Sequence, residues 1–269
     1  MPELPEVEVV RSTLEGELVG LTIVGIDCFY EPIIENLSFF KEKVLHQKII
    51  EIKRYAKYLI FILSHGAFIS HLRMEGKYFY VDESYSIQKH QHVVFHLSNG
   101  YKLVYQDVRK FGRIEYRSLE DLYSIPPLSG LGPEANQNKY NLDELYSKLK
   151  KKSIPIKTVL LDQTFISGLG NIYVDEVLYQ AHISPLRKSN TLKKKELELI
   201  LSSSQSILNA AIQKKGTTIR SYTSSLGVIG NYQEFLKVHT KKICPVCEEA
   251  LKIVKIGGRT SYYCKKCQR

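Results

Sequence analysis

The sequence predicts an α+β protein of two domains: an N-terminal antiparallel β-sandwich flanked by helices, and a C-terminal helical domain closed by a cysteine-bearing β-hairpin. Three observations carry this prediction. Short β-rich stretches separated by turn signals fill the first half. The run Pro126-Pro127-Leu128-Ser129-Gly130-Leu131-Gly132-Pro133 breaks every periodic pattern. Helical patterns dominate beyond it, up to two Cys-x-x-Cys pairs at the end. The 269 residues suit one large domain or two medium ones, and 43% hydrophobic residues suffice to fill real cores.

In the first element, residues 5–18, Val7, Val10, Leu14 and Leu18 recur at helical spacing. Pro5 suits the first turn, and Glu6 and Glu8 lie near the positive helix end. The helix is expected to end near Gly16 or Gly20. Strands are predicted over residues 21–30, 49–54, 58–63, 67–71, 77–81, 92–97, 102–106 and 113–116, with turn signals such as Asn99-Gly100 between them. After the break, 141–151, 156–162, 172–181 and 192–215 read as helices. The expected domains are 1–125, a linker over 126–134, a helical domain over 135–230 and a metal-binding finger over 231–269. No internal repeat or low-complexity segment is present.

No apolar run is long enough to cross a bilayer, and glutamates stand where a signal peptide would need a basic and then apolar start. The expected compartment is the cytoplasm, of a bacterium and in action at the nucleoid, with no membrane partner. Lys and Arg number 38 against 28 Asp and Glu, a net charge of +10, which favours a polyanionic partner through neutralised phosphates and released counterions. Residues 237–269 carry nine Lys or Arg against Glu248 and Glu249, so most of the excess lies there.

That basic tail also holds four of the five cysteines, as Cys244-Pro-Val-Cys247 and Cys264-Lys-Lys-Cys267. Two Cys-x-x-Cys pairs separated by 16 residues have the spacing of a structural tetrathiolate zinc site. Two disulfides are the other reading, disfavoured by a reducing compartment. A closed four-cysteine shell leaves no open coordination position, so one such Zn2+ would hold a hairpin rather than activate water. Between the pairs, Ile256-Gly257-Gly258-Arg259-Thr260 reads as a turn where glycines let the backbone approach a partner and Arg259 offers planar donors to phosphate. Cys28 stands alone in an apolar run and reads as a small buried hydrophobe.

The opening Met1-Pro2-Glu3 has a plain reading as the entry to a helix. Met before a small residue is normally trimmed, however, and the product would begin with a secondary amine. Such an amine attacks an aldehyde-like carbon and forms an iminium.

Six segments in order resemble the formamidopyrimidine-DNA glycosylases and their relatives of the endonuclease VIII type. They are Pro2-Glu3-Leu4-Pro5-Glu6-Val7-Glu8, Arg54-Tyr55-Ala56-Lys57-Tyr58-Leu59, His71-Leu72-Arg73-Met74-Glu75-Gly76, Asp107-Val108-Arg109-Lys110-Phe111-Gly112, Gly168-Leu169-Gly170-Asn171-Ile172-Tyr173 and the cysteine hairpin. The resemblance implies a monomeric base-excision enzyme acting on damaged double-stranded DNA. The attack would fall on the anomeric carbon and be followed by β- and δ-elimination. It implies Pro2 as nucleophile, Glu3 as proton carrier, Lys57 as an aid to elimination, and Glu6 and Glu75 on the lesion side. By the same resemblance His71, His90, Lys152 and Lys157 would face phosphates, and Met74, Arg109 and Phe111 would fill the space left by the extruded nucleotide.

Gly168-Leu169-Gly170-Asn171 would then form the turn of a helix-two-turns-helix domain, with Asn171 and Arg259 gripping one strand and Arg259 serving the later elimination. Residues 216–232, rich in Thr, Ser and Gly, would close over the extruded base and be mobile without DNA. Leu4 and the Arg109–Phe111 set favour oxidised purines, 8-oxoguanine opposite cytosine and ring-opened formamidopyrimidines, over the oxidised pyrimidines of the endonuclease VIII type. A DNA-binding zinc protein without catalysis would share the charge and the hairpin but has no use for Pro2, Glu3 and Lys57. A zinc hydrolase lacks its open ligand set, such as His-Glu-x-x-His.

Overall fold

The computed structural model of the chain describes residues 1–217 and 230–269. Most of the segment expected to be mobile therefore lies outside the described residues. The chain forms two compact units, one built on Met1–Ser129 and the other on Gly130–Lys214 with Asn231–Arg269; Lys215, Gly216, Thr217 and Gly230 belong to the first.

The first unit begins with helix α1 (Leu4–Leu18), whose Leu4, Val7, Val10, Leu14 and Leu18 are buried, as the periodicity predicts. Eight strands follow: β1 (Ile23–Cys28), β2 (Ile49–Tyr55), β3 (Tyr58–Leu63), β4 (Gly66–His71), β5 (Lys77–Val81), β6 (Gln91–Leu97), β7 (Lys102–Gln106) and β8 (Arg113–Arg117). They pair antiparallel in two sheets, ordered β1-β6-β7-β5 and β2-β3-β4-β8. The sheets share one core, in which Phe68 of β4 stacks on Phe61 of β3 at 4.3 Å and on Phe95 of β6, across the core, at 5.4 Å. The predicted class is borne out.

Two details depart from the prediction. The first strand spans six residues, not ten, and Thr22 just before it forms an isolated bridge with Lys48. A short helix α2 (Leu37–Val44) stands where no element was expected. It begins at Asn36, whose backbone is left-handed at φ 47° and whose side chain caps Phe39 N–H.

The second unit holds α3 (Leu142–Lys150), α4 (Ile156–Leu160), α5 (Asn171–Gln180) and α6 (Lys194–Gln213), then the hairpin β9 (Lys252–Ile256) and β10 (Arg259–Tyr263). Asn141 caps α3 through its side chain, and Glu196 in the first turn of α6 accepts from Lys193 N–H at 2.7 Å while bridging Arg187. The hairpin turns at Gly257 and Gly258, with φ of 55° and 78°, a region that favours glycine.

Candidate functional site

The N-terminus is built into the first unit rather than left loose. Pro2, Glu3 and Glu6 are buried and Met1 is half-buried. Glu3 N–H donates to Glu6 Oε2 at 2.9 Å, which satisfies one of the orphan donors that every helix start presents. The other oxygen, Glu6 Oε1, accepts from both the N–H and the hydroxyl of Thr217, at 2.9 and 3.0 Å. Glu6 thus links the residue beside Pro2 to Thr217.

A second tie sets the turn that carries Lys57. Arg54 Nε donates to Glu8 Oε2 of α1 at 2.7 Å, and its Nη1 donates to the Ala56 carbonyl at 3.0 Å. Ala56 adopts φ 52°, so the chain reverses within two residues between β2 and β3. Lys57 sits in this reversal and is buried, not a solvated surface lysine.

His71 closes β4. Its Nδ1 accepts from Arg73 N–H at 2.9 Å, so in the neutral ring the proton resides on Nε2, the atom available to donate. Burial, with the cations of Arg73 and Lys57 nearby, pulls its pKa down to about 3. At neutral pH His71 is a neutral N–H donor.

Asp107 organises the segment that carries Arg109 and Phe111. Its carboxylate is fully buried and accepts from Arg109 N–H at 3.0 Å and Gly112 N–H at 2.7 Å. Its own N–H donates to the His90 carbonyl at 3.0 Å, and His92 Nε2–H donates to its carbonyl at 2.9 Å. A Cβ at Gly112 would fall 1.7 Å from the Tyr105 hydroxyl, so no larger residue fits there. The segment presents Phe111, 49% exposed, beneath the Arg109 guanidinium at 4.8 Å from its ring centre. An open pocket of about 400 Å³ is lined by Met1, Arg73, Met74, Arg109, Phe111 and Arg113. The structure therefore brings the chain terminus and all three expected space-filling side chains to one place. His90 is half-buried at φ 69°, with its ring 6.5 Å from that of His92, and Glu75 is half-buried between Met74 and Gly76.

In the second unit Lys157 requires a correction. The family resemblance implied a phosphate contact for it, but its side chain is 0% exposed and pairs with the equally buried Asp175 at 2.7 Å. Its Nζ also donates to the Thr260 carbonyl at 3.3 Å. A buried ammonium held by a buried carboxylate is a structural ion, and leaving Asp175 for a ligand would strand a charge. Asp175 also pairs with His239 Nδ1 at 2.8 Å and accepts from Tyr262 N–H at 3.3 Å. The adjacent Glu176 accepts from three successive N–H groups, Lys237, Val238 and His239, at 2.7 to 2.9 Å.

These bonds converge on the hairpin. The Thr260 carbonyl accepts from Asn171 Nδ2 at 2.9 Å as well as from Lys157, which fixes the strand that begins with the exposed Arg259. Asn171 Oδ1 is buried and has no hydrogen-bond partner among the described residues. Lys152 is half-buried, pairs with Asp162 at 3.2 Å, and borders an open pocket of about 470 Å³ with Lys148 and Lys151.

Cys244, Cys247, Cys264 and Cys267 form one cluster, with all four Sγ atoms within 4.8 Å of one another. No cysteine is in a disulfide. Burial opposes ionisation of Cys244, but hydrogen bonds from Tyr179 and from Cys247 and Val246 N–H outweigh it and bring the thiol down to about 6. Cys267 moves the other way, pushed up to about 12 by the adjoining Cys247 thiol and by burial. Four sulfurs so close cannot all ionise alone, and a cation is the partner that would let them.

Comparison with known proteins adds the family. Residues 1–114 match the family described as the formamidopyrimidine-DNA glycosylase N-terminal domain, and residues 131–223 match its H2TH domain. The chain belongs to the formamidopyrimidine-DNA glycosylase family. A formamidopyrimidine-DNA glycosylase of Pelotomaculum thermopropionicum is 41% identical over 100% of this chain and 99% of its own length. One of Streptococcus pneumoniae is 43% identical over the same shares. The solved complex of Lactococcus lactis Fpg with abasic-site DNA superposes with a TM-score of 0.94 at 37% identity, covering 100% of both chains. A structure of MutM with DNA containing carbocyclic 8-oxo-G gives 0.93 at 37%, again over 100% of both. The expected recognition is borne out, and family membership makes the chain a DNA glycosylase of base excision repair, in a family that also cleaves the abasic strand.

Sequence reasoning gave Asp107 no role, although an Asp side chain commonly accepts from the backbone N–H two residues on, as Asp107 does from Arg109. It also passed over Glu176, His239 and Thr217. Their partners lie about 60 to 210 residues away in the chain, beyond any local pattern.

Proposed function

We propose that this chain excises oxidised purines, 8-oxoguanine and ring-opened formamidopyrimidines, from double-stranded DNA through the amine of Pro2, and cleaves the strand at the resulting abasic site. While Met1 is attached the Pro2 nitrogen is an amide and has no basic lone pair; removal of Met1 makes it a secondary amine. Its lone pair attacks C1′ of the damaged nucleotide, the C1′–N bond breaks, and the base leaves with the bonding pair and a proton. Opening of the sugar, with Glu3 supplying a proton to O4′, gives an iminium at C1′. Loss of the C2′ proton then expels the 3′ phosphate, a second elimination expels the 5′ phosphate, and water releases Pro2.

The observation that carries this reading is the pocket in which the chain terminus meets Met74, Arg109 and Phe111. An extruded nucleotide leaves a gap in the duplex, and a flexible apolar side chain, an aromatic wedge and a guanidinium beside the nucleophile suit its filling. Lys57, and His71 as a neutral N–H donor, support phosphate binding in the same unit. In the second unit Asn171, Lys152 and Arg259 suit the remaining backbone contacts.

The metal of the cysteine cluster is read as one structural zinc. A tetrahedron with Zn–S arms of about 2.3 Å has edges of about 3.8 Å. The Cys244–Cys267 and Cys247–Cys264 sulfurs lie 3.8 and 3.4 Å apart, which fits. When bound, the ion holds the hairpin that carries Arg259 and takes no part in bond breaking.

Borohydride trapping on a duplex with 8-oxoguanine opposite cytosine tests the reading. The protein without Met1 should crosslink to the strand, whereas a Pro2 variant or a protein with a tagged N-terminus should bind without crosslinking. A wild type that binds the duplex yet never crosslinks would overturn the catalytic reading, and a tagged protein with full lyase activity would move the nucleophile to a lysine.

A further inference from the structure

Helix α5 runs from the hairpin tip to the cysteine cluster. Asn171 at its first position donates to the Thr260 carbonyl, and near its last turn the Tyr179 hydroxyl lies 3.2 Å from Cys244 Sγ. The Tyr179 ring packs in the small core formed by Val238, Cys244, Leu251 and Cys264. Just past the helix, His182 Nδ1 meets the Cys267 carbonyl at 3.2 Å, and Gln268 joins the Ile183 carbonyl to Cys264 N–H at 2.9 and 2.8 Å. The residues after α5 are thus tied to the backbone of the second Cys-x-x-Cys pair. Tyr179, on the helix itself, reaches instead to a sulfur of the first pair.

We propose that Tyr179 is the outer-sphere donor of the cysteine metal centre: its O–H hydrogen bonds to the metal-bound thiolate of Cys244 and strengthens the hold on the ion. This rests on the reading of the cluster as a zinc site. A metal-bound cysteine carries no proton, so in a contact of hydroxyl and sulfur the hydroxyl must donate. Four thiolates around a divalent ion leave a net charge of about −2 in a partly buried site. Each donor aimed at a sulfur draws off part of that charge, and the low polarity of the surroundings magnifies the effect. The residue is only 7% exposed, and a buried tyrosine hydroxyl usually bonds a partner within the protein. The contact makes α5, which orders the hairpin strand through Asn171, part of the shell that holds the metal.

The test compares zinc-loaded wild type with Y179F and Tyr179→Gln, reading release to a colorimetric chelator and the thiolate-to-metal absorption of the cobalt(II)-substituted proteins. Y179F keeps the ring and removes one oxygen. It should bind metal about tenfold more weakly, within the usual range for loss of an outer-shell partner. Its cobalt charge-transfer band should move to longer wavelength, because a thiolate without its donor holds its electrons less tightly. Release and absorption unchanged in Y179F would overturn the proposal, and fast release confined to Tyr179→Gln would assign the effect to ring packing instead. If the wild type itself takes up no metal, it is the zinc reading that fails, an outcome distinct from an equal hold by wild type and Y179F.

Discussion

Replacing Lys157 with Met separates the two roles that this lysine could have. Its ammonium and the Asp175 carboxylate are both 0% exposed and 2.7 Å apart. Removing one partner of such a pair strands the other charge and costs about 3–5 kcal/mol. His239 and Tyr262 N–H stay on Asp175, which places the loss toward the lower end of that range. With a loss of about 3 kcal/mol and about 2–4 °C per kcal/mol for a chain of this size, the thermal midpoint should fall by roughly 6–12 °C. Calorimetry or circular dichroism reads that shift. A parallel salt titration of DNA binding below the new midpoint should keep its slope, because no phosphate contact is lost. Adding Asp175→Asn should recover part of the stability, since no charge then remains stranded. A variant that melts with the wild type while its log–log salt slope falls by about 0.9, the share of one phosphate, would refute burial of the ammonium and restore the phosphate contact.

Two further outcomes follow from the site. His71 has a folded pKa of about 3 against an ordinary 6.5, so below pH 6.5 the unfolded chain takes up a proton that the folded chain refuses. Stability is therefore complete above pH 6.5 and falls as pH drops toward 3, by about 2 kcal/mol at pH 5; urea titrations from pH 5 to 8 should show this and lose it in His71→Gln, and an unchanged profile in that variant would remove His71 as the cause. Replacing Cys247 with Ser should lower both zinc content and DNA affinity, as read by metal analysis and fluorescence anisotropy; zinc content and affinity equal to wild type would refute the structural role of the cluster.

The strands were legible because β-branched and aromatic residues recur between turn signals, and β2 to β8 start and end within about one residue of the sequence reading. Helix α2 was not legible: eight residues give too few turns for a period, and its start depends on a left-handed Asn36. At the site, the residues with unusual chemistry were legible as types in motifs, and the pocket gathers Met74, Arg109 and Phe111 beside Met1. The arrangement around them was not. Whether a lysine faces solvent or a buried aspartate depends on pairing between elements, and Lys157 and Lys152 look alike in the sequence although one is sealed and the other half-exposed. The neutral state of His71 likewise arises from burial and from Arg73 and Lys57 folding around it.

The sealed lysine and the cysteine cluster bear on the same strand. Arg259 starts β10, and the next carbonyl, Thr260, is gripped by Asn171 and Lys157, while Tyr262 N–H is held by Asp175. One residue after β10 comes Cys264, so the strand is pinned at its start by a buried ion network and at its end by the cysteine cluster. In the phosphate-binding role proposed for it, Arg259 would gain from such a mounting, because donors already fixed in place lose less conformational freedom on binding. A net +10 chain has cations in plenty, and most could serve a polyanion loosely. Arg259 stands on a strand whose next carbonyl is held by both Asn171 and Lys157, so Lys157 would serve the proposed contact through the strand and not through a phosphate.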